Sequence, residues 1–169
     1  MPNLFFISDT HFSHKNILGF VREDGSPERP EFSCIEEMNE HIVEMWNKTV
    51  NHSDTVIHCG DVAFGKEALQ ICARLKGIKC LVMGNHDTQD ILEYKKVFNK
   101  IRGVKYIGKD TAICTHIPIH KSSMRGFKIN IHGHLHGNYI DEPEYLNVSV
   151  ERIRYTPISL DEILAIKAK

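Results

Sequence analysis

The sequence predicts an α/β domain in which two sheets pack face to face with helices outside. Three observations lead there. Short apolar runs alternate with helical patterns through the first hundred residues. The second half then holds a series of strand candidates with no long helix between them. Five of the apolar runs are followed at once by Asp, His or Asn. The whole chain, residues 1–169, reads as a single domain with no internal repeat and no linker.

The elements follow in order. Residues 4–8, 54–59 and 79–83 are rich in Ile, Val, Leu, Phe or Cys and read as strands buried on both faces. Ser33, with Glu36 three residues on, predicts a capped helix start. Ile35, Met38, Ile42, Trp46 and Val50 then recur at helical spacing, which gives one apolar stripe. Further helices are expected over residues 66–76, ending before Gly77, over 89–99 and over 159–167. Strand candidates in the second half are 105–107, 112–115, 127–132, 146–150 and 154–155. The proline-containing stretch 25–32 is a surface loop.

Composition removes several function classes. Hydrophobic residues make up 41% and charged residues 25%, so a packed core is expected rather than disorder. No apolar run approaches the roughly 18 residues a membrane span needs. The start, Met1-Pro2-Asn3, lacks a basic n-region and a long apolar run, so no signal peptide is expected and the protein is placed in the cytoplasm. A formal net charge of -1 argues against a broad basic face for duplex nucleic acid. Five cysteines without C-x-x-C spacing read as free thiols rather than disulfides or a thiolate zinc site.

The chemistry lies at the strand ends. Residues 4–8 are followed by Asp9-Thr10-His11, and residues 54–59 by Gly60-Asp61. Residues 79–83 are followed by Gly84-Asn85-His86-Asp87, residues 112–115 by His116, and residues 127–132 by Gly133-His134-Leu135-His136. In open α/β sheets ligands bind beyond the carboxyl ends of the strands, so these groups can converge on one rim. Asp, His and Asn without thiolate suit a borderline divalent ion: manganese first, with iron, zinc or nickel as alternatives. Seven candidate ligands are too many for one ion that keeps an open position. They fit two ions sharing a carboxylate.

The series D-x-H, G-D, G-N-H-D, H and G-H-x-H resembles the calcineurin-like metallophosphoesterases, over residues 4 to about 150. The resemblance implies a four-layer α/β/β/α sandwich of two mixed sheets with a dinuclear metal site at the strand C-terminal ends. It assigns Asp9, His11 and His136 to one metal and Asn85, His116 and His134 to the other, with Asp61 bridging. It leaves His86 unligated, as general acid or phosphate contact. The implied reaction is hydrolysis of a phosphoester by in-line attack of a metal-bridging hydroxide. Gly60-Asp61-Val62-Ala63-Phe64-Gly65 lacks the second Asp and the Arg of the protein phosphatases in this superfamily, which argues against a phosphoprotein substrate. Residues 8–17 and 147–151 are instead similar to small bacterial and phage phosphoesterases.

Within that reading a phosphodiester of a nucleotide or a nucleic-acid end is the expected substrate, since the chain has no room for a capping domain. A small phosphomonoester and a non-catalytic scaffold are the alternatives. Partners are therefore a small phosphorylated molecule or a single-stranded end. His14 and Asn16 could contact substrate phosphate or only hold their own loop. Arg22, Arg29, Lys121 and Arg125 could wall the pocket with cations or remain solvated. His58 and His132 stand just before ligand-bearing turns and could orient ligands.

Overall fold

The computed structural model describes residues 2–22 and 24–168; Met1, Glu23 and Lys169 lie outside it. Its strands are β1 (Leu4–Ile7), β2 (Thr55–His58), β3 (Ile78–Val82), β4 (Lys100–Arg102), β5 (Lys105–Ile107), β6 (Ala112–Cys114), β7 (Ile129–His132), β8 (Tyr145–Asn147) and β9 (Ile158–Ser159). Its α-helices are α1 (Ile35–Thr49), α2 (Lys66–Leu69), α3 (Ile91–Lys95) and α4 (Leu160–Lys167). One mixed sheet has the order β4-β3-β2-β1-β9 and the other β5-β6-β7-β8. In the first, β1 to β4 run parallel and β9 is antiparallel to β1. In the second, β6, β7 and β8 are parallel and β5 is antiparallel.

Strand periodicity divides the core in two. Phe5, Ile7, Val56 and Leu81 face the helices and pack with Ile42, Trp46, Leu69 and Phe98. Phe6, Ile57, Cys59 and Val82 face the second sheet and pack with Cys114, Ile131, Val148 and Ile163. The apolar stripe of α1 is buried as expected, and Trp46 Nε1 donates to the Lys76 carbonyl at 2.9 Å. On the outer face of the second sheet, buried Asn130 accepts from Ile119 N–H, which ties down the segment 117–124 and its short 3-10 turn.

The two sheets are sewn together at one corner. Ser8 N–H donates to Val148 O and Val150 N–H donates to Ser8 O, so β1 and the run after β8 continue into each other. The turns after β1, β2, β3, β6 and β7 gather at this corner. That convergence positions the site.

Several local expectations are corrected. Ser33 is not the cap of α1; Cys34 holds that position, and Ser33 bonds Glu37 instead of Glu36. The helix expected over 66–76 tightens after Leu69 into a 3-10 helix, Gln70–Arg74, and the one over 89–99 is confined to α3 with Asp90 as its cap. Residues 154–155 are not a strand: Arg154 and Tyr155 have φ of 51° and 57°, a left-handed turn that seats the Tyr155 ring against Phe32 and His41. The edge strands β4 and β9 were not foreseen: β4 holds one apolar residue between two basic ones, and β9 has two residues that run directly into α4.

The capping pair at α4 forms in full: Ser159 accepts from Glu162 N–H, and Glu162 accepts from Ser159 N–H. Ser159→Ala should therefore lower unfolding free energy by about 1 kcal/mol, read as an earlier urea midpoint at unchanged slope. An unchanged midpoint would show that β9 alone fixes this end.

Candidate metal centre

Asp9, His11, Asp61, Asn85, His116, His134 and His136 meet at the corner where the sheets join. Asp9, His11 and His136 present ligand atoms all within 4.8 Å of one another, and so do Asp9, Asp61 and His116. Asn85 Oδ1 lies 2.9 Å from His116 Nε2 and 3.0 Å from His134 Nδ1. Asp61 Oδ2 lies 3.7 Å from His11 Nε2 and 3.3 Å from His116 Nε2, between the two groups. Asp9 thus faces both the His11–His136 side and the Asp61–His116 side of the cluster.

The local backbone explains the convergence. Asp9, His11, Asp61, His134 and His136 all have positive φ, between 47° and 71°. Left-handed residues at strand ends swing neighbouring side chains toward one point, at about 1–3 kcal/mol each. The pairs Asp9/His11 and His134/His136 share a side for this reason, not through strand alternation. Glycine is needed at Gly133, where a Cβ would strike Ser8 Oγ and Asp9 Oδ2.

Asp9, His116 and His136 each have one half tied to the fold and one half left over. His116 Nδ1 is 2.8 Å from the Cys59 carbonyl, an acceptor only, so the proton sits on Nδ1 and the Nε2 lone pair faces Asp61 and Asn85. His136 Nδ1 lies 3.0 Å from Glu151 Oε1, which frees Nε2 toward Asp9. Asp9 Oδ2 accepts from His134 N–H and Ser149 Oγ. Its Oδ1 is buried without a partner, as are both ring nitrogens of His11. Lone pairs aimed at lone pairs in a dry corner fit divalent cations, and the N/O donor set suits borderline ions.

The pKa directions agree. Burial alone would lower His116 and His136, but the facing Asp61 carboxylate and the charge of Asp9 raise His116, and Glu151 and Asp9 raise His136. Burial would raise Asp9, yet the His11 imidazole facing it at 3.7 Å and the charges of His136 and His116 hold it far below the usual carboxylate range. His11 goes down, because burial outweighs the facing Asp9 carboxylate. The corner carries negative charge that calls for positive charge at its centre.

The family model for calcineurin-like phosphoesterases matches residues 2–155. The chain belongs to that family. A metal-dependent phosphoester hydrolase is the activity that membership carries. The chain is 34% identical to an uncharacterized protein of Methanocaldococcus jannaschii over 100% of this chain and 93% of that one. It is 32% identical to the Gene 66 protein of Mycobacterium phage L5 over 52% of this chain and 41% of that one. A protein of unknown function from Aquifex aeolicus superposes with a TM-score of 0.78 at 31% identity, over 98% of this chain and 100% of that one. An archaeal phosphodiesterase shares the fold at a TM-score of 0.54 and 20% identity, over 87% and 82% of the two chains. Among the described residues no helix is long and apolar enough to cross a membrane.

Around this phosphoesterase centre, the residues expected at the substrate divide. His86 is exposed, its backbone N–H held by Asp61 Oδ1 at 2.9 Å and its ring 6.0 Å from that of His11. His14 is half-buried, with its ring 5.4 Å from His11. Burial, then the charges of His11, His86 and Arg29, lowers His14 to about 4. Asn16 is exposed on the 3-10 turn Lys15–Gly19, with no bond to the cluster recorded.

Arg29 is a correction. It does not line the pocket; its side chain is fully buried, paired with Glu151 at 2.7 Å and donating to the Asp9 and Thr10 carbonyls. It acts through Glu151 on His136 and through the backbone on Asp9. Arg125 is exposed on a left-handed turn. Lys121 pairs with Glu142 and Glu144, and Arg22 faces Glu28 at 3.6 Å.

Other residues were missed. Glu151 orients His136, and Ser149 orients Asp9; both stand in the run 147–151, whose resemblance was noted without a role. Asp87, the last residue of the Gly84-Asn85-His86-Asp87 run, accepts from the N–H groups of Asp61, Val62 and Gly84 and locks two ligand loops together. His58 and His132 orient loops, not ligand rings. Gly60 N–H donates to His58 Nδ1, so Nε2–H donates to Thr10 Oγ1, and Thr10 donates on to Val62 O. His132 lies 2.9 Å from the Gly133 carbonyl.

Two outcomes follow. Arg29→Ala should lower unfolding free energy by about 3–5 kcal/mol, since buried Glu151 loses its guanidinium partner and keeps only His136, and should weaken metal retention. A variant of full stability with only a raised Michaelis constant would restore Arg29 to the substrate. Burial, opposed by Asp9 and Asp61, holds His58 at about 3, below its ordinary value. Its stabilising contribution is complete above about pH 6.5 and is lost as pH falls toward 3. In chelator, wild-type unfolding free energy should fall more steeply between pH 6 and 4 than that of His58→Gln; equal slopes would exclude the role.

Proposed function

We propose that this phosphoesterase cleaves phosphodiesters, with a nucleotide or a single-stranded nucleic-acid end as substrate. The observation that carries this reading is the placement of the cations. Arg29 is buried on Glu151, Lys121 and Arg22 face carboxylates, and Arg125 is exposed on a turn. A monoester brings about two negative charges near neutral pH and a diester only one. A site whose rim is His14, Phe20, Phe64 and His86, not guanidinium groups, is matched to the smaller charge. A groove lined by Phe20, Val21, Glu28, His134, His136 and Asn138 continues from the cluster and offers room for a second, uncharged organic substituent.

Asp9, His11, Asp61 and His136 would hold one divalent ion, and Asp61, Asn85, His116 and His134 the other, with manganese as the proposed metal. Such ions supply Lewis acidity, which lowers the pKa of water and offsets charge on phosphate oxygens. The protein residues do the rest. Asp61 keeps both halves of the cage in register, with Oδ2 toward the imidazoles and Oδ1 on His86 N–H. His86 gives its ring proton to the departing oxygen as the bond from phosphorus to that oxygen breaks and the bond from phosphorus to the water oxygen forms. The cytoplasm is the proposed location, where the buried thiols of Cys59, Cys72, Cys80 and Cys114 stay reduced.

With manganese present, bis(p-nitrophenyl) phosphate should be hydrolysed faster than p-nitrophenyl phosphate; the reverse order would replace the diester reading by a monoester one. Asp61→Asn should lose both metal and activity, and His86→Ala should lower kcat about 10²–10⁴-fold at unchanged metal content. Fewer than one ion per chain together with no hydrolysis of either ester would make the protein a scaffold. Metal should also raise stability by about 2.7 kcal/mol at a hundredfold excess over its Kd.

A further inference from the structure

Phe64 follows the Asp61 turn and belongs to neither hydrophobic core. Its backbone is pinned: Phe64 N–H donates to Phe12 O at 2.9 Å, and Phe12 bridges Ala63. Its ring lies flat on His14, with centroids 3.7 Å apart and planes 8° apart. The ring is also 5.5 Å from His86 and 5.6 Å from His11, and the residue is 37% exposed. A phenyl ring is thus held rigidly, one face covered by an imidazole, beside the proton donor. Packing explains the covered face only. Leaving the rest of a large apolar ring in water at this position gains nothing for the fold.

We propose that Phe64 is the stacking platform for a nucleobase on the departing side of the substrate, so that preferred substrates release a nucleoside. This rests on the phosphodiesterase reading above. The spacing supports it. In a nucleoside leaving group one sugar separates the departing oxygen from the base, and Phe64 lies one ring beyond His86, which protonates that oxygen. Stacking is tolerant of base identity, because every base has a π face. The platform therefore selects for the presence of a base and not for sequence. His14 acts behind it as a positioning residue that fixes the plane of the ring.

The test compares a dinucleoside monophosphate with its analogue whose leaving sugar carries no base, on manganese-loaded protein. The wild type should prefer the base-bearing substrate in kcat/KM by about tenfold or more. Phe64→Leu, which keeps an apolar contact on His14 but has no π face, should bring that ratio to about one. Phe64→Trp should keep it. A wild-type ratio near one, or a ratio that survives in Phe64→Leu, overturns the proposal. If bis(p-nitrophenyl) phosphate is cleaved and the dinucleotide is not, the diester reading stands and this one falls. If no diester is cleaved, calorimetric titration still decides the platform. Adenosine monophosphate should bind more tightly than ribose 5-phosphate to the wild type, and the two should bind equally to Phe64→Leu.

Discussion

The structure depends on holding acceptors against acceptors in a dry corner. Asp9 Oδ1 and both ring nitrogens of His11 are buried without a hydrogen-bond partner, with His11 Nε2 3.7 Å from Asp9 Oδ1 and 3.7 Å from Asp61 Oδ2. In low dielectric such pairs repel strongly unless a positive charge lies between them. The fold therefore has to resist its own site. Arg29 and Glu151 clamp one side from beneath, Asp87 ties the loops on the other, and Ser149 holds the outer oxygen of Asp9.

That arrangement separates support from chemistry within single side chains. The outward atoms of Asp9, Asp61, His116 and His136 are satisfied by backbone or by buried partners. The inward atoms are left for cations. Each ring or carboxylate is fixed in orientation before any ion arrives, so little side-chain freedom remains to be lost on binding. The exposed rim, by contrast, is aromatic and imidazole, and its shape follows from the short pinned run between Phe12 and Phe64.

Much of this was legible in the residue order. Hydrophobic runs located β1, β2, β3, β6 and β7 because each is buried on both faces, and the polar group after each run named a member of the cluster. The stripe from Ile35 to Val50 located α1 for the same reason of period. The edge strands of the first sheet, β4 and β9, were not legible: β4 is Lys-Ile-Arg, with one apolar residue, and β9 has two residues that run straight into α4. Nor could the fate of Arg29 be read. An Arg in a proline-flanked loop looks solvated or substrate-facing until its carboxylate partner, Glu151, is found 122 residues away. Asp87 and Glu151 lay in noted motifs but carried no role, because supporting contacts have no spacing of their own.

The seam at Ser8 and Ser149 has a consequence for biogenesis. The cage draws on residues 9 to 136, and its clamp on residue 151, so a growing chain on the ribosome owns only part of it until residue 151 has emerged. A partial chain would present isolated imidazoles and carboxylates, which follow the general affinity order of divalent metals. Once the seam closes, the side chains of the cluster are set at fixed distances by left-handed turns. Any choice among metals by geometry would thus belong to the folded corner and not to the nascent chain.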